Sequence, residues 1–311
     1  PIAYAGICWE SGGRCSKMFI YKRHMQSGKS TISVLAVIVI FFIAMAIGWY
    51  VYKDNILQQQ QYQLKPEILN LSPEQPDWIK GDVLATVFAD QKLEEHYLTD
   101  RKIASQLRDA FLLHPCISAV TRVAKKPDGV DITLEYRTPV AMVVVKLDNR
   151  TWLYPVDNQA VVLPPREFSA DDVGGYLRIT HDYVPPAGQV GDGWGDEKLV
   201  KVAQIAGMLS KAPWQEMGLY NLELTQSPES NESVLYILMK DVPGFRILWG
   251  SLPGDEAPGE LAAPDKLSRL VEFYLENETL VVGTEPLEID LRPEARIEVT
   301  PLIKVKENSV E

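Results

Sequence analysis

The side chains best suited to chemistry are few and scattered. Histidine is the usual base or metal ligand near neutral pH. Beyond the first 50 residues it occurs at His96, His114 and His181. These positions share no ligand spacing, and His114, directly before Pro115, reads as a helix-end residue. The three cysteines are Cys8, Cys15 and Cys116. Cys8 and Cys15 lack the spacing and histidine partners of a zinc site, and Cys116 stands alone in its part of the chain. No G-x-S-x-G, H-E-x-x-H or C-x-x-C motif occurs. Gly28-Lys29-Ser30 imitates the end of a phosphate-binding loop, but Arg23 stands where the first glycine belongs. Asp171-Asp172 reads as a solvated loop. The expectation is a protein that is not an enzyme, with no catalytic residue, metal or cofactor.

The chain has 311 residues and a net charge of -11, with pI near 5.0. That charge argues against nucleic acid, whose phosphates call for clustered Lys and Arg. The basic residues before residue 31 are Arg14, Lys17, Lys22, Arg23 and Lys29, against the single acid Glu10. Such asymmetry calls for a compartment explanation. Ile32–Val51 supplies it: about 20 apolar residues at 1.5 Å each cross roughly 30 Å of hydrocarbon. Trp49, Tyr50 and Tyr52 sit at its far end and the basic residues at its near end, which predicts an N-in, C-out orientation. The alternative, a cleaved signal peptide, calls for an apolar core of about 7–15 residues and a small-residue cleavage site. Here the core is longer, and WYVYKDN follows it.

The predicted organisation is a cytoplasmic tail at 1–31 (Met18 and Met25 are candidate starts), a transmembrane helix at 32–52 and a spacer at 53–77. A small domain follows at 78–138, a larger one at 139–302 and a tail at 303–311. Pro66, Pro73 and Pro76 make the spacer extended. In the small domain Val83–Phe88 reads as a strand and Asp100–Leu113 as an amphipathic helix capped by Thr99 or Asp100. Ile117–Val123 and Val130–Tyr136 read as a hairpin around Lys126-Pro127-Asp128-Gly129. In the larger domain strand signals fall at Ala141–Leu147, Thr151–Pro155, Ala160–Leu163, Tyr176–Ile179, Leu222–Thr225, Val234–Lys240, Phe245–Trp249, Leu287–Leu291 and Arg296–Val299. Helices are expected at Asp196–Lys211 and Pro264–Asn277. The fold class is α+β: one transmembrane helix, a small βαββ domain, then a mostly antiparallel β domain with two helices on one face.

The order of parts and six local motifs resemble the FtsQ/DivIB family of bacterial cell-division proteins. Leu113-His114-Pro115-Cys116-Ile117-Ser118-Ala119-Val120 is similar to the family's lead-in to the second strand of its small POTRA domain, with Cys116 in place of an aromatic. Lys126-Pro127-Asp128-Gly129-Val130-Asp131-Ile132 resembles the following hairpin. Glu135-Tyr136-Arg137-Thr138-Pro139-Val140-Ala141 resembles the junction with the β domain. Leu153-Tyr154-Pro155-Val156-Asp157-Asn158-Gln159-Ala160-Val161 is similar to the next turn motif. Ile247-Leu248-Trp249-Gly250 with the helix from Pro264, and Ile289-Asp290-Leu291-Arg292, complete the set. The resemblance spans residues 30–300 in order and marks Arg137, Pro139, Asp157, Gly250, Asp290, Leu291 and Arg292 as motif positions. Read from alternation alone, Asp290 and Arg292 share a sheet face, as a structural ion pair or as a binding pair.

The resemblance implies a non-enzymatic divisome scaffold for septum formation. It would sit in the bacterial cytoplasmic (inner) membrane at the division site, with its C-terminal domains periplasmic. Implied partners are the membrane-anchored coiled-coil proteins FtsB and FtsL, with FtsK- and FtsW-like division proteins beside them. Capture would proceed by strand addition. The candidate edge is Arg296, Ile297, Glu298, Val299 and Thr300, ended by Pro301. The same charge and terminal proline also suit an edge guarded against pairing. In the best-known members aromatic contacts follow the DLR triplet; here Pro293, Glu294 and Ala295 follow. The alternative function is a POTRA-type envelope chaperone or secretion/assembly component.

Overall fold

The structure is a computed structural model that describes residues 28–57, 60–182, 184–227, 232–281 and 286–302. Cys8, Cys15, most of the basic N-terminal segment and the tail from residue 303 lie outside the described residues. Two units are distinct, one ending at Gln59 and one beginning at Gln60. The first contains helix α1, Gly28–Leu57. Its stretch Val34–Lys53 is long and apolar enough to cross a membrane, and none of it is buried by protein. Side chains that are apolar all round need a nonaqueous surrounding, which sets α1 apart from the amphipathic helices further on.

The second unit holds two sheets, each with its own core. The smaller is built from β1 (Leu69–Ser72), β2 (Ile117–Lys126) and β3 (Gly129–Tyr136) in the order β1-β3-β2. β1 runs parallel to β3, while β2 and β3 form the expected antiparallel hairpin. Two helices cover one face: α2 (Val83–Asp90) and α3 (Ile103–Leu112).

Three expectations are corrected here. Val83–Phe88 is helix, not strand. Asp82 caps it by accepting from Ala85 N at 2.9 Å, and Val83 and Val87, one turn apart, are its buried residues. The first strand lies instead inside the segment read as spacer, where Leu64 and Leu69 are buried in the small core. The order is therefore β-α-α-β-β. Third, α3 begins at Ile103 and has no side-chain cap; the Asp100 carboxylate accepts from Tyr97 N instead. Its buried residues Ile103, Leu107, Ala110 and Phe111 are those the helical spacing selects.

The larger sheet has eight strands in the order β11-β10-β9-β8-β7-β6-β4-β5. They are β4 (Pro139–Leu147), β5 (Arg150–Asp157), β6 (Leu177–Thr180), β7 (Leu219–Gln226), β8 (Ser233–Met239), β9 (Arg246–Gly250), β10 (Leu287–Asp290) and β11 (Glu298–Pro301). Four neighbouring pairs are antiparallel and three are parallel, so the sheet is mixed rather than mostly antiparallel. The reason is connectivity. Helices α5 (Glu197–Leu209) and α6 (Ala263–Asn277) are crossovers, and each returns the chain to start a parallel strand. Both contribute to one core with the sheet.

Ala160–Leu163, expected as a strand, makes only isolated bridges, Val156 with Val162 and Val161 with Gly193. Residues 170–173 form a short helix, α4 (Ala170–Val173), where a loop was expected; Ser169 and Asp172 close a capping box around its start. Arg296 and Ile297 precede the last strand rather than belonging to it.

The reassignment of Val83–Asp90 is testable. Asp82→Ala should lower the unfolding free energy by about 1 kcal/mol, the usual worth of an N-cap. Urea denaturation of the variant measures this; an unchanged midpoint would return the segment to a strand.

Candidate functional site

The motif positions gather into two clusters and an edge. The first cluster joins the two sheets. Arg137 follows β3, donates its backbone N–H to Cys116 O, and its Nη1 reaches Asp157 Oδ2 at 2.6 Å. Both side chains are largely buried. The other oxygen of Asp157 accepts from Gln159 N and Val161 N, each at 2.9 Å, which fixes the turn after β5. Pro139 opens β4 opposite Asp157, with a register irregularity between Pro139 and Ala141. A cleft of about 780 Å³ opens beside the pair, with Glu135, Gln204 and Lys211 among its walls.

A second clamp between the sheets falls on residues to which the sequence assigned no role. Glu167 is buried, and its Oε2 accepts from Lys80 N at 2.6 Å and Gly81 N at 2.9 Å. Burial pushes its carboxyl up, but the two backbone donors and Arg166 outweigh that and hold it below its ordinary value. The Lys80 ammonium pairs with Asp172, and the Trp78 ring stacks on Phe168 at 5.6 Å between centroids. One signal was legible: Ser169-x-x-Asp172 has the spacing of a capping box. The partners 87 and 92 residues upstream had none.

The third group lies at the ends of β9 and β10. Gly250 has φ of +92°, and a Cβ there would meet Glu260 Oε1 and lie 2.5 Å from Arg292 Cγ. Only glycine combines that backbone with such close approach. Asp290 and Arg292 form a two-pronged ion pair, Nε to Oδ1 at 3.0 Å and Nη2 to Oδ2 at 2.7 Å. Leu291 between them is fully buried in the large core. Behind Gly250, Lys266 is buried completely (0% exposed). It donates to Glu260 at 2.6 Å and sits 5.6 Å from the Trp249 ring. Burial raises the Glu260 carboxyl, and Lys266 and the Ser251 and Ala257 donors bring it below its usual value. Arg269 of α6 holds the Pro293 and Glu294 carbonyls, so the turn after Arg292 is fastened to the helix.

β11 is the last strand of the sheet and pairs antiparallel with β10, from Leu287 opposite Pro301 to Asp290 opposite Glu298. All four of its residues are exposed. Leu302 N bonds to Pro286 O, so Leu302 is an inward-bonding position. The two-residue period then makes Thr300 and Glu298 inward-bonding and directs the Val299 N–H and C=O away from the sheet. The Val299 side chain, 41% exposed, continues the row Ile237–Ile247–Ile289 on the core face. Ile297 packs against that core.

The histidines stay apart. His181 Nε2 bonds Asp196 Oδ2 at 2.7 Å, and Asp196 caps α5 through Lys198 N. His114 closes the end of α3; its Nδ1 accepts from Cys116 N, and burial, aided by Arg166, lowers its pKa. Burial pushes the Cys116 thiol up to about 12, so it stays protonated. Among the described residues no group of three His, Cys, Asp or Glu side chains could hold a metal. No protein-family model matches the chain, and no curated protein matches it with significant similarity.

Two consequences can be measured. Arg137→Ala leaves the Asp157 carboxylate buried without its charge partner and should cost about 3 kcal/mol; the loss appears as a lowered denaturation midpoint. Glu167 has its folded pKa below the ordinary 4.5. The stability it adds is thus complete above that value and lost as pH falls through the folded value. Glu167→Gln should flatten the fall in stability below pH 4.5, followed by urea midpoints against pH; an identical acid limb would contradict the clamp.

Proposed function

We infer that this chain is a membrane-anchored, non-enzymatic assembly protein of the FtsQ/DivIB kind. It stands in a bacterial cytoplasmic membrane on one helix, with its large unit outside. Its part in division is to collect other membrane proteins at the septum. The observation that carries this reading is the end of the large sheet. β11 directs the Val299 N–H and C=O outward, keeps all its residues exposed, and is stopped by Pro301, which has no N–H to offer.

Such an edge can take one further strand. Backbone hydrogen bonds would give affinity, and the half-exposed Val299 would select an apolar side chain on the incoming strand. The ion pairs Asp290–Arg292 and Arg246–Glu288, at 2.6 Å, neutralise the rows behind the edge. The FtsB/FtsL type of partner, a short bitopic coiled-coil protein with a segment beyond its coil, suits this surface. The small β-α-α-β-β sheet, clamped to the large one, would offer FtsK- or FtsW-like proteins a second surface. The α1 helix supports the anchoring, by length and composition.

Val299→Pro removes an outward N–H without breaking a bond to β10. Full-length chain carrying it should capture purified FtsB/FtsL-type partner about five- to tenfold less well, the loss of roughly 1–1.5 kcal/mol for one hydrogen bond. Its thermal melt should stay close to the parent's. Undiminished capture by a folded Val299→Pro chain would overturn the edge-strand reading, and a fluorescent fusion spread evenly over dividing cells would overturn the division reading.

A further inference from the structure

The large sheet has a second edge, at β5. There the two halves of the strand differ. Pro155 O accepts from Leu163 N at 2.8 Å, Val156 bridges Val162, and Asp157 N donates to Val161 O. The half toward the hairpin, Arg150–Tyr154, has β4 as its only strand neighbour among the described residues.

Its hydrogen-bonding phase follows from the turn. Asp148 and Asn149 both have positive φ, +50° and +58°, and join Leu147 to Arg150 as a two-residue hairpin. In such a hairpin the flanking pair bonds inward, so Arg150, Trp152 and Tyr154 bond to β4. Thr151 and Leu153 direct their N–H and C=O groups outward. The outward bonds of Pro155 and Asp157 fit the same alternation. Trp152, on the face of Val145, is 49% exposed, and Leu147 beside it is exposed to the same degree. A tryptophan standing half in water on an open edge is the feature that most needs a partner.

We propose that Arg150–Tyr154 pairs with the same segment of a second copy of this chain, antiparallel and centred on Trp152. The stretch is self-complementary. Thr151 of one copy meets Leu153 of the other, twice, and the four outward groups of each strand are satisfied. Trp152 faces Trp152 at the non-hydrogen-bonded position, where side chains approach most closely and aromatic pairs add stability. Arg150 faces Tyr154. The sheet already uses that pairing between neighbouring strands, with Arg178 over the Tyr220 ring at 4.8 Å and Arg246 over the Tyr236 ring at 4.5 Å. The tip of the hairpin brings Leu147 under the same cover. Five residues a side bury far less than the roughly 1,600 Å² of a stable dimer. The contact therefore depends on the raised local concentration of chains that share a membrane, and to that extent it rests on the anchored reading above.

The test uses full-length chain in lipid vesicles, with Cys8→Ser and Cys15→Ser removing the N-terminal thiols. Flotation with the vesicles reports the anchor by itself. With Trp152→Cys added, mild oxidation should yield a covalent dimer. Adding Leu153→Pro, which deletes one outward N–H in each copy, should lower the yield about tenfold. Independently, energy transfer between copies labelled at the N-terminus should fall for Trp152→Lys, a change that leaves the backbone intact. Chains that float but give no cross-link at position 152, or a cross-link and energy transfer indifferent to both changes, would overturn the proposal. Chains that do not float would instead overturn the anchor.

Discussion

The larger sheet hangs on one hydrogen-bond ladder that runs through eight strands. A ladder satisfies the backbone of every strand except the two at its ends, and a dry, unpaired N–H or C=O is costly. The two crossover helices cover one face and so secure the inner strands on that side. They do nothing for the in-plane groups of β5 and β11. What happens at those two strands is therefore the central physical question of the fold. The chain answers it in two ways. At β5 the segment after Asp157 folds back and closes half the edge with two backbone hydrogen bonds that make the Val156–Val162 bridge. At β11 the strand is kept to four residues and ended with proline.

Position matters only if the edges are held still, and the joint between the sheets provides that. Arg137–Asp157 fixes the start of β4 against the end of β5. Glu167 reaches 87 residues back to bind two adjacent backbone N–H groups ahead of α2. Both links are charge-assisted and mostly buried, the class of hydrogen bond that is short and strong. The stacked Trp78 and Phe168 add an apolar contact to the same joint. At the other end of the sheet the buried Lys266–Glu260 pair plays a corresponding part. It sits behind Gly250, against which Arg292 packs before the chain turns into β11. Removing water from such pairs is expensive, so they contribute more to a single defined arrangement than to net stability.

Much of this was legible in the sequence. The apolar run, the hairpin at Lys126–Gly129 and the buried stripe of α3 all follow from period and turn chemistry. Val83–Phe88 failed because a short run of Val, Leu and Phe carries no period of its own. The cap at Asp82 was the deciding signal, and it sits one residue outside the run. Leu69–Ser72 was hidden by the prolines around it; a four-residue edge strand needs only a neighbour, and its neighbour β3 lies 60 residues away. The parallel pairs were missed because strand signals say nothing about direction, whereas a helix between two strands does. Asp290–Arg292 was open between ion pair and binding pair, and the ion-pair geometry is what forms. The pairing of Glu167 and Asp172 with Lys80 and Gly81 was invisible because charge on a loop looks the same whether it meets water or a buried amide.

The lengths of the open stretches bear on specificity. A long flat edge invites any extended chain and leads to aggregation. Here each edge leaves only a short run of outward backbone, Thr151 and Leu153 on β5 and Val299 on the described part of β11. A strand added to so few groups gains too little from backbone bonds alone to hold. Side chains must supply the rest, and the two edges offer different ones: Trp152 with Arg150 and Tyr154 on one side, Val299 with Glu298 on the other. A segment that satisfies one set therefore does not satisfy the second. On the two proposals made above, the same sheet would distinguish its own copy from a foreign strand by the side chains at its two edges.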